Sequence, residues 1–349
     1  MDCLLKALVL NKEARVYIVS NTDTVNEAIK RHNLWPGATS VLGKTLTIAQ
    51  IMGSMLKGDE ALTIKINGGN GQLGNIVVDA NSKGEVRGYV DNPNVSIVNN
   101  AGGMNDYYAI GTEGMIDVIK DLKLKDLFTS SVICTGDLAS DFTYYFYESE
   151  QTNSVVYLGM LIDVDNSCKI SGGMIIQLLP NASEQTISYL EKAISNYPSF
   201  NDLLSQYSLE DILKLFFKDN YEIVETRDVS FKCSCSKHNF AKALLTLGKQ
   251  DLQDIVNQDH HIETVCHYCG EKYDFNEQEL QVIIDKLGRG VTVVDAFGGY
   301  SGYKYDMLIT TLNKNESYLM RDLILEIDPL AFTFYVSAKE VYGDGFEKQ

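Results

Sequence analysis

The chain has 349 residues, 45% of them apolar, and a formal net charge of -17. That is enough for two or three domains with real cores, while the acidic balance argues against nucleic acid and anionic membrane surfaces, which attract basic proteins. No basic, apolar and small-residue leader pattern opens the chain, and the longest apolar tract, Pro36 to Leu56, is broken by Lys44, Thr45 and Gln50; the expectation is a soluble, cytoplasmic protein without a membrane span.

Residues 1–179 alternate helical and strand signals. Asp23 precedes an amphipathic stretch from Val25 to His32, and Pro36 opens a long helix of small and apolar residues ending near Gly58, apolar all round and therefore central. Short β runs follow at Ala61 to Ile66, Asn75 to Ala80, Val86 to Val90, Val155 to Asp163 and Lys169 to Leu178. Together they predict an α+β core around a mostly antiparallel sheet with a buried helix. Gly69-Asn-Gly71-Gln-Leu-Gly74 formally satisfies the dinucleotide-binding pattern, but a strand (Ile76-Val-Val-Asp79) follows it where a helix N-terminus is needed, so it reads as a glycine-rich hairpin.

Residues 180–228 read as a helical linker: Ser183 to Ser195, Leu203 to Gln206, then Ser208 to Lys218 with Leu209, Ile212, Leu213, Phe216 and Phe217 on one face. Isolated helices shorter than ~12 to 15 residues are marginal in water, so this segment holds its shape only while docked.

Residues 229–287 carry the chemistry. Cys233-Ser-Cys235 and Cys266-His-Tyr-Cys269 form two tight pairs, the pattern that closes a tetrahedral zinc site, and the same thiols are near enough in sequence to form two local disulfides. Four-cysteine ligation of one zinc ion is expected, with His238, His260, His261 and His267 close enough in sequence to be substitutes. Zinc binding contributes ~10 to 16 kcal/mol where whole domains are stable by only ~5 to 15 kcal/mol; in a segment with few large apolar residues, losing the metal is losing the fold. This stretch has six lysines against ten acidic residues between Asp228 and Lys286, so no basic patch supports a zinc-ribbon nucleic-acid binder. An inert structural zinc and a thiol-disulfide oxidoreductase using Cys266-x-x-Cys269 stay open. The latter is disfavoured because Gly-Glu-Lys-Tyr after Cys269 reads as a turn into a β run, where such enzymes place a helix. Cys3, Cys134 and Cys168 stand alone and read as small core residues.

The text around the cysteines resembles the redox-switch domain of the heat-shock protein 33 family of redox-regulated holdase chaperones. Phe231-Lys-Cys-Ser-Cys-Ser236, Ala243-Leu-Leu-Thr-Leu-Gly248 and Val265-Cys-His-Tyr-Cys-Gly-Glu-Lys-Tyr273 carry the likeness. It extends through Gly43-Lys-Thr-Leu-Thr47, Met55-Leu-Lys-Gly-Asp59, Glu85-Val-Arg-Gly-Tyr89, Tyr144-Tyr-Phe146, Gly172-Gly-Met174 and Gln177-Leu-Leu-Pro180, covering about 1–287. The resemblance implies a non-enzymatic chaperone, zinc-bound and inactive when reduced. On oxidation it would release zinc, form disulfides Cys233–Cys235 and Cys266–Cys269 (the latter first), unfold its linker, dimerise, and hold unfolding clients without ATP.

The family normally ends after the helix expected here at Glu277 to Lys286, yet residues 288–349 continue. Their order, strand Val291 to Ala296, turn Gly298 to Gly302, strand Met307 to Leu312, helix Tyr318 to Glu326 and strand Phe332 to Val336, predicts a small ferredoxin-like module. Gly288-Arg-Gly-Val-Thr292, Gly298-Gly-Tyr-Ser-Gly302, Glu326-Ile-Asp-Pro329 and Glu340-Val-Tyr-Gly-Asp-Gly-Phe346 resemble the soluble, PII-like domain of YitT-type membrane proteins, whose function is unknown. That likeness invites an unidentified small ligand at the turn, although a plain structural turn is the simpler reading.

Overall fold

The computed structural model describes residues 2–96, 105–197, 199–244, 246–247, 249–280, 291–297, 304–310, 333 and 336. The chain divides into two compact units: residues 1–234 with 266–271, and residues 235–265 with 272–349.

In the first unit the elements run β1 (Cys3–Val9), β2 (Ala14–Ser20), α1 (Thr22–His32), α2 (Pro36–Ser54), β3 (Ala61–Asn67), β4 (Asn75–Asn81) and β5 (Glu85–Val90). They continue through α3 (Asp106–Ile110), β6 (Gly114–Asp121), β7 (Phe128–Cys134), α4 (Leu138–Glu148), β8 (Ser154–Ile162), β9 (Cys168–Leu178), α5 (Glu184–Asn196), α6 (Phe200–Gln206), α7 (Leu209–Phe217), β10 (Tyr221–Asp228) and β11 (Ser230–Phe231). Two sheets result, one ordered β10-β1-β2-β9-β8 and the other β11-β5-β4-β3-β6-β7. Every pairing is antiparallel except the short parallel β11–β5 contact.

Helix α2 is buried along almost its whole length and contacts strands of both sheets. It starts at Pro36, whose missing amide costs nothing in a first turn. The five-stranded sheet is covered on both faces, and the two-residue period of a strand sorts its side chains: Leu4, Tyr17, Val19 and Ile175 face the α2 core, while Leu5, Val16, Ile18, Met174 and Ile176 face a second cluster with Leu190, Phe200, Leu203, Ile212, Leu213, Phe216 and Phe217 of α5, α6 and α7. The six-stranded sheet buries one face only; β3, β4 and β5 alternate buried with more exposed positions.

The antiparallel α+β core, the central helix and the glycine-rich turn between β3 and β4 agree with the sequence reading. A Cβ at Gly71 would lie 1.9 Å from the Ile110 carbonyl oxygen, so close backbone approach is why that turn is glycine-rich. One difference lies in the stretch expected to be helical: residues 221–228 form a strand, because Tyr221-Glu-Ile-Val-Glu-Thr-Arg-Asp alternates with period two and lies along the free edge of β1.

In the second unit α8 (Lys237–Leu244) and α9 (Lys249–Asp259) accompany the hairpin β12 (His261–Val265) and β13 (Lys272–Asn276). A small core of Leu244, Leu252, Val256, Phe275 and Leu280 holds them together. Further on, β14 (Val291–Phe297) pairs antiparallel with β15 (Lys304–Thr310); the rest of the expected ferredoxin-like module, including the Gly298 to Gly302 turn, lies outside the described residues, as does most of the helix expected at Glu277 to Lys286. Among the described residues no helix is long and apolar enough to cross a membrane.

Candidate metal centre

The sulfurs of Cys233, Cys235, Cys266 and Cys269 all lie within 4.8 Å of one another, with Cys266 and Cys269 buried. Cys233 Sγ and Cys266 Sγ are 3.8 Å apart. Tetrahedral zinc–thiolate bonds of ~2.3 Å require sulfur–sulfur separations of about 3.8 Å, so the donor set and its spacing fit a zinc ion. Burial pushes the Cys266 thiol above its ordinary value, which a dication replacing the protons would reverse. None of His238, His260, His261 and His267 belongs to the group formed among the described residues. His267 instead lies with its ring 5.8 Å from that of Tyr89, tilted by 43°, and His261 Nδ1 lies 2.9 Å from the Asp259 carbonyl.

Each pair is presented by a different device. The loop between β12 and β13 is a tight knuckle: the Cys266 carbonyl accepts from the amides of Cys269 (3.3 Å) and Gly270 (2.8 Å), and the Cys266 amide donates to the Glu271 carbonyl (2.9 Å). Both cysteine side chains are thereby turned the same way. Gly270 has φ +70°, and a Cβ there would lie 2.8 Å from the Arg31 carbonyl, so no other residue fits without strain. The other pair follows β11, which is fixed to β5 by Ser230 N to Gly84 O (3.1 Å) and Lys232 N to Val86 O (2.8 Å). Cys235 Sγ lies 3.2 Å from the Tyr273 hydroxyl.

Around the knuckle, α1 and the outer face of the six-stranded sheet supply a polar cradle. Thr63, Asp79 and Arg87 oppose one another in register across β3, β4 and β5. Thr63 Oγ1 donates to Asp79 Oδ1 (2.7 Å), and Arg87 Nη2 donates to Asp79 Oδ2 (2.9 Å). Arg87 Nη1 reaches Cys233 Sγ and Ser234 Oγ, each at 3.4 Å, and the guanidinium lies 4.3 Å over the Tyr268 ring. Burial works against the Arg87 cation, but its bonds to Cys233 and Asp79 outweigh that and hold its pKa above the ordinary value. Burial pushes Tyr268 up to about 12, so its hydroxyl stays neutral. From α1, Arg31 Nη1 donates to the Cys269 carbonyl (3.4 Å) and His32 Nε2 lies 3.1 Å from the Tyr268 carbonyl.

The lone cysteines sit apart. Cys134 and Cys168 are buried, and burial pushes their thiols up to about 11 and about 12, which makes them poor nucleophiles at neutral pH.

An α+β core built of two antiparallel sheets about a central helix, joined to a four-thiol cluster, defines a chaperone-type protein once its relatives are considered. The model of the family described as "Hsp33 protein" matches residues 2–276, and the chain belongs to the Hsp33 family. It is 45% identical over 292 residues to the 33 kDa chaperonin of Bacillus velezensis and 44% identical over 292 residues to that of Bacillus subtilis, in each case covering 83% of this chain and all of the relative. The crystal structure of the 33 kDa chaperonin (heat shock protein 33 homolog) from Thermotoga maritima superposes with a TM-score of 0.76 at 35% identity, covering 81% of this chain and 98% of that one. Residues 289–343 match a separate family, an uncharacterized protein conserved in bacteria (DUF2179).

Proposed function

We propose that this is a redox-regulated, ATP-independent holdase, zinc-bound and inactive when reduced, which on oxidation binds unfolding proteins. The observation that carries the reading is the convergence of four sulfurs from two sequence pairs on a chain segment continuous with the helices covering an apolar sheet face. Bound zinc would offset two of the four thiolate charges and crosslink the two pairs. The residues present do the rest: the knuckle and β11 orient the sulfurs, and Arg87 adds positive charge beside Cys233.

Peroxide oxidises each pair by two electrons. One thiolate attacks a peroxide oxygen, the O–O bond breaks and hydroxide leaves; the second thiolate then displaces hydroxide from the sulfenic acid and the S–S bond forms. By family analogy Cys266 pairs with Cys269 first, then Cys233 with Cys235. Disulfides cannot serve as thiolate ligands, so oxidation and metal loss are one event, and a small core such as that around Leu252 and Phe275 is too slight to keep the fold alone. Helices α5, α6 and α7 span 13, 7 and 9 residues, short enough to depend on docking. Their departure would uncover Leu5, Val16, Ile18, Met174 and Ile176 for clients. The oxidised form is proposed to be a dimer and the compartment the reducing cytoplasm, where resting thiols stay reduced.

The test treats the full chain with peroxide at mildly unfolding temperature and follows zinc release and suppression of client aggregation in one sample. Both rise together on this reading. Aggregation suppression that is indifferent to oxidation would leave an inert structural zinc as the answer.

A further inference from the structure

The segment Tyr221–Lys232 closes an edge of each sheet of the core. β10 lies antiparallel on β1, with Cys3 opposite Asp228 and Val9 opposite Tyr221 and a bulge at Val224. Val229 then turns the chain, its amide 3.4 Å from the Asp2 carbonyl, and β11 lies on β5. Lys232 follows β11, and after it comes Cys233, a member of the thiol cluster. An edge strand of one sheet is therefore tethered, through only a few residues, to the group whose chemistry changes.

β10 is held mainly by its main chain. Of its side chains, Tyr221 and Ile223 pack on the cluster that includes Leu5, Ala7 and Val9, whereas Glu222, Val224, Thr226 and Asp228 are exposed. Its side-chain ties are at or near the surface: Glu222 with Lys12 at 3.0 Å, Tyr221 Oη with Glu210 at 3.3 Å, and Arg227 with Glu225 and the Ser82 carbonyl. Once β10 leaves, the β1 main chain from Cys3 to Val9 offers a row of unpaired donors and acceptors beside Leu5, Ala7 and Val9, on the same face that α5 to α7 cover. Such an edge takes an extended chain with apolar side chains at every second position. β10 has that form at Tyr221 and Ile223, opposite Val9 and Ala7, while beyond the bulge Thr226 and Asp228 oppose Leu5 and Cys3; its exposed acidic residues Glu222 and Asp228 discourage pairing with other chains in the resting state.

We propose that β10 is an intramolecular stand-in for the client, and that oxidation exchanges it for an extended apolar segment of an unfolding protein, added as an antiparallel strand to β1. This rests on the holdase reading and specifies how that surface grips its partner: main-chain pairing gives tolerance of sequence, and the adjoining apolar face gives affinity.

The experiment is hydrogen exchange on the full chain, reduced, oxidised, and oxidised with reduced, carboxymethylated α-lactalbumin as a permanently unfolded probe. Amides of residues 3–9 should lose protection by about tenfold or more on oxidation and regain it when the probe binds. The proposal is overturned if those amides stay protected on oxidation, or stay open while the probe is held. Protection that returns without probe as protein concentration rises assigns the edge to a second copy of this chain and likewise overturns it. Failure of the oxidised protein to hold the probe at all is a different result, against the holdase reading itself. As a second handle, reduced Ile223→Pro, which cannot pair at the middle of β10, should exchange residues 3–9 at least about tenfold faster than wild type; unchanged exchange there contradicts main-chain retention of β10.

Discussion

The Arg87 guanidinium lies 4.3 Å over the Tyr268 ring while donating to Cys233 Sγ, so one side chain of the core sheet touches both halves of the thiol cluster. Its position is fixed by Asp79 across the β4–β5 register. Outer partners of metal ligands commonly carry ~10- to 100-fold in affinity, and Arg→Ala here also removes a cation–π contact of ~0.5 to 2 kcal/mol. Arg87→Ala is therefore expected to weaken zinc binding about tenfold or more and to speed hydrogen exchange in residues 266–271. Arg87→Lys should recover only part of either, since an ammonium cannot bridge Asp79, Ser234 and Cys233 as a fork does. Competition with a chelator of known affinity measures the first effect; an unchanged zinc affinity in Arg87→Ala would reduce the residue to surface packing.

Phe216 is fully buried; its ring meets Tyr157 edge to face and lies tilted 4.9 Å from that of Tyr197. Phe216→Ala should cost ~3 to 5 kcal/mol, concentrated on helices that have little stability of their own. Urea unfolding of the reduced protein would show an early transition, and client aggregation would be partly suppressed without oxidant. A single transition at the wild-type midpoint would mean that docking of α5 to α7 does not limit stability.

The legible parts of the molecule were those with local signals. β3, β4 and β5 alternate cleanly because one face is wet, α2 is framed by Pro36, and Cys233, Cys235, Cys266 and Cys269 announce themselves by spacing. β1 and β2 gave no such alternation, because the sheet they belong to is buried on both faces and Ala14 to Val19 reads as a nearly continuous apolar run. The cradle of the site was invisible for another reason. Arg87 and Cys233 are 146 residues apart, and only strand register brings Asp79, Arg87 and Tyr89 to one face; Glu85 to Tyr89 stood out in the sequence only as a stretch resembling the family, with no sign of what its side chains touch. His32 and Arg31 likewise reach the knuckle through their carbonyl contacts, which no composition or spacing encodes.

Asp141, buried in α4, accepts from the Thr135 amide and hydroxyl. Burial nevertheless holds its pKa above the ordinary 3.8. The folded state thus binds this proton more tightly than the unfolded chain does. The resulting stabilisation is complete below 3.8 and is lost as pH rises from there through the folded-state value. Asp141→Asn removes the titration while keeping an acceptor for Thr135. Wild-type stability relative to the variant should consequently fall with rising pH across that window, as read from urea unfolding at a series of pH values. Parallel stability curves for the two proteins would show that Asp141 does not titrate differently on folding.

The tail is the feature that sets this chain apart from the chaperonins it resembles, and it bears on whether the thiols are the whole switch. The Hsp33 match ends at residue 276, the Bacillus relatives are matched over their full length by 292 residues of alignment, and β14 and β15 pair with each other and with no other strand among the described residues. Everything the proposed switch uses, from the apolar face at Leu5 to the small core around Phe275, lies before residue 288. A chain truncated after Leu287 should accordingly bind about one zinc per chain and hold clients on oxidation to within about twofold of the full chain, a margin of less than 1 kcal/mol. Zinc content and aggregation suppression, measured side by side on both forms, decide it. A truncated chain that holds clients while reduced, or stays inactive when oxidised, would make residues 288–349 a second input to the switch.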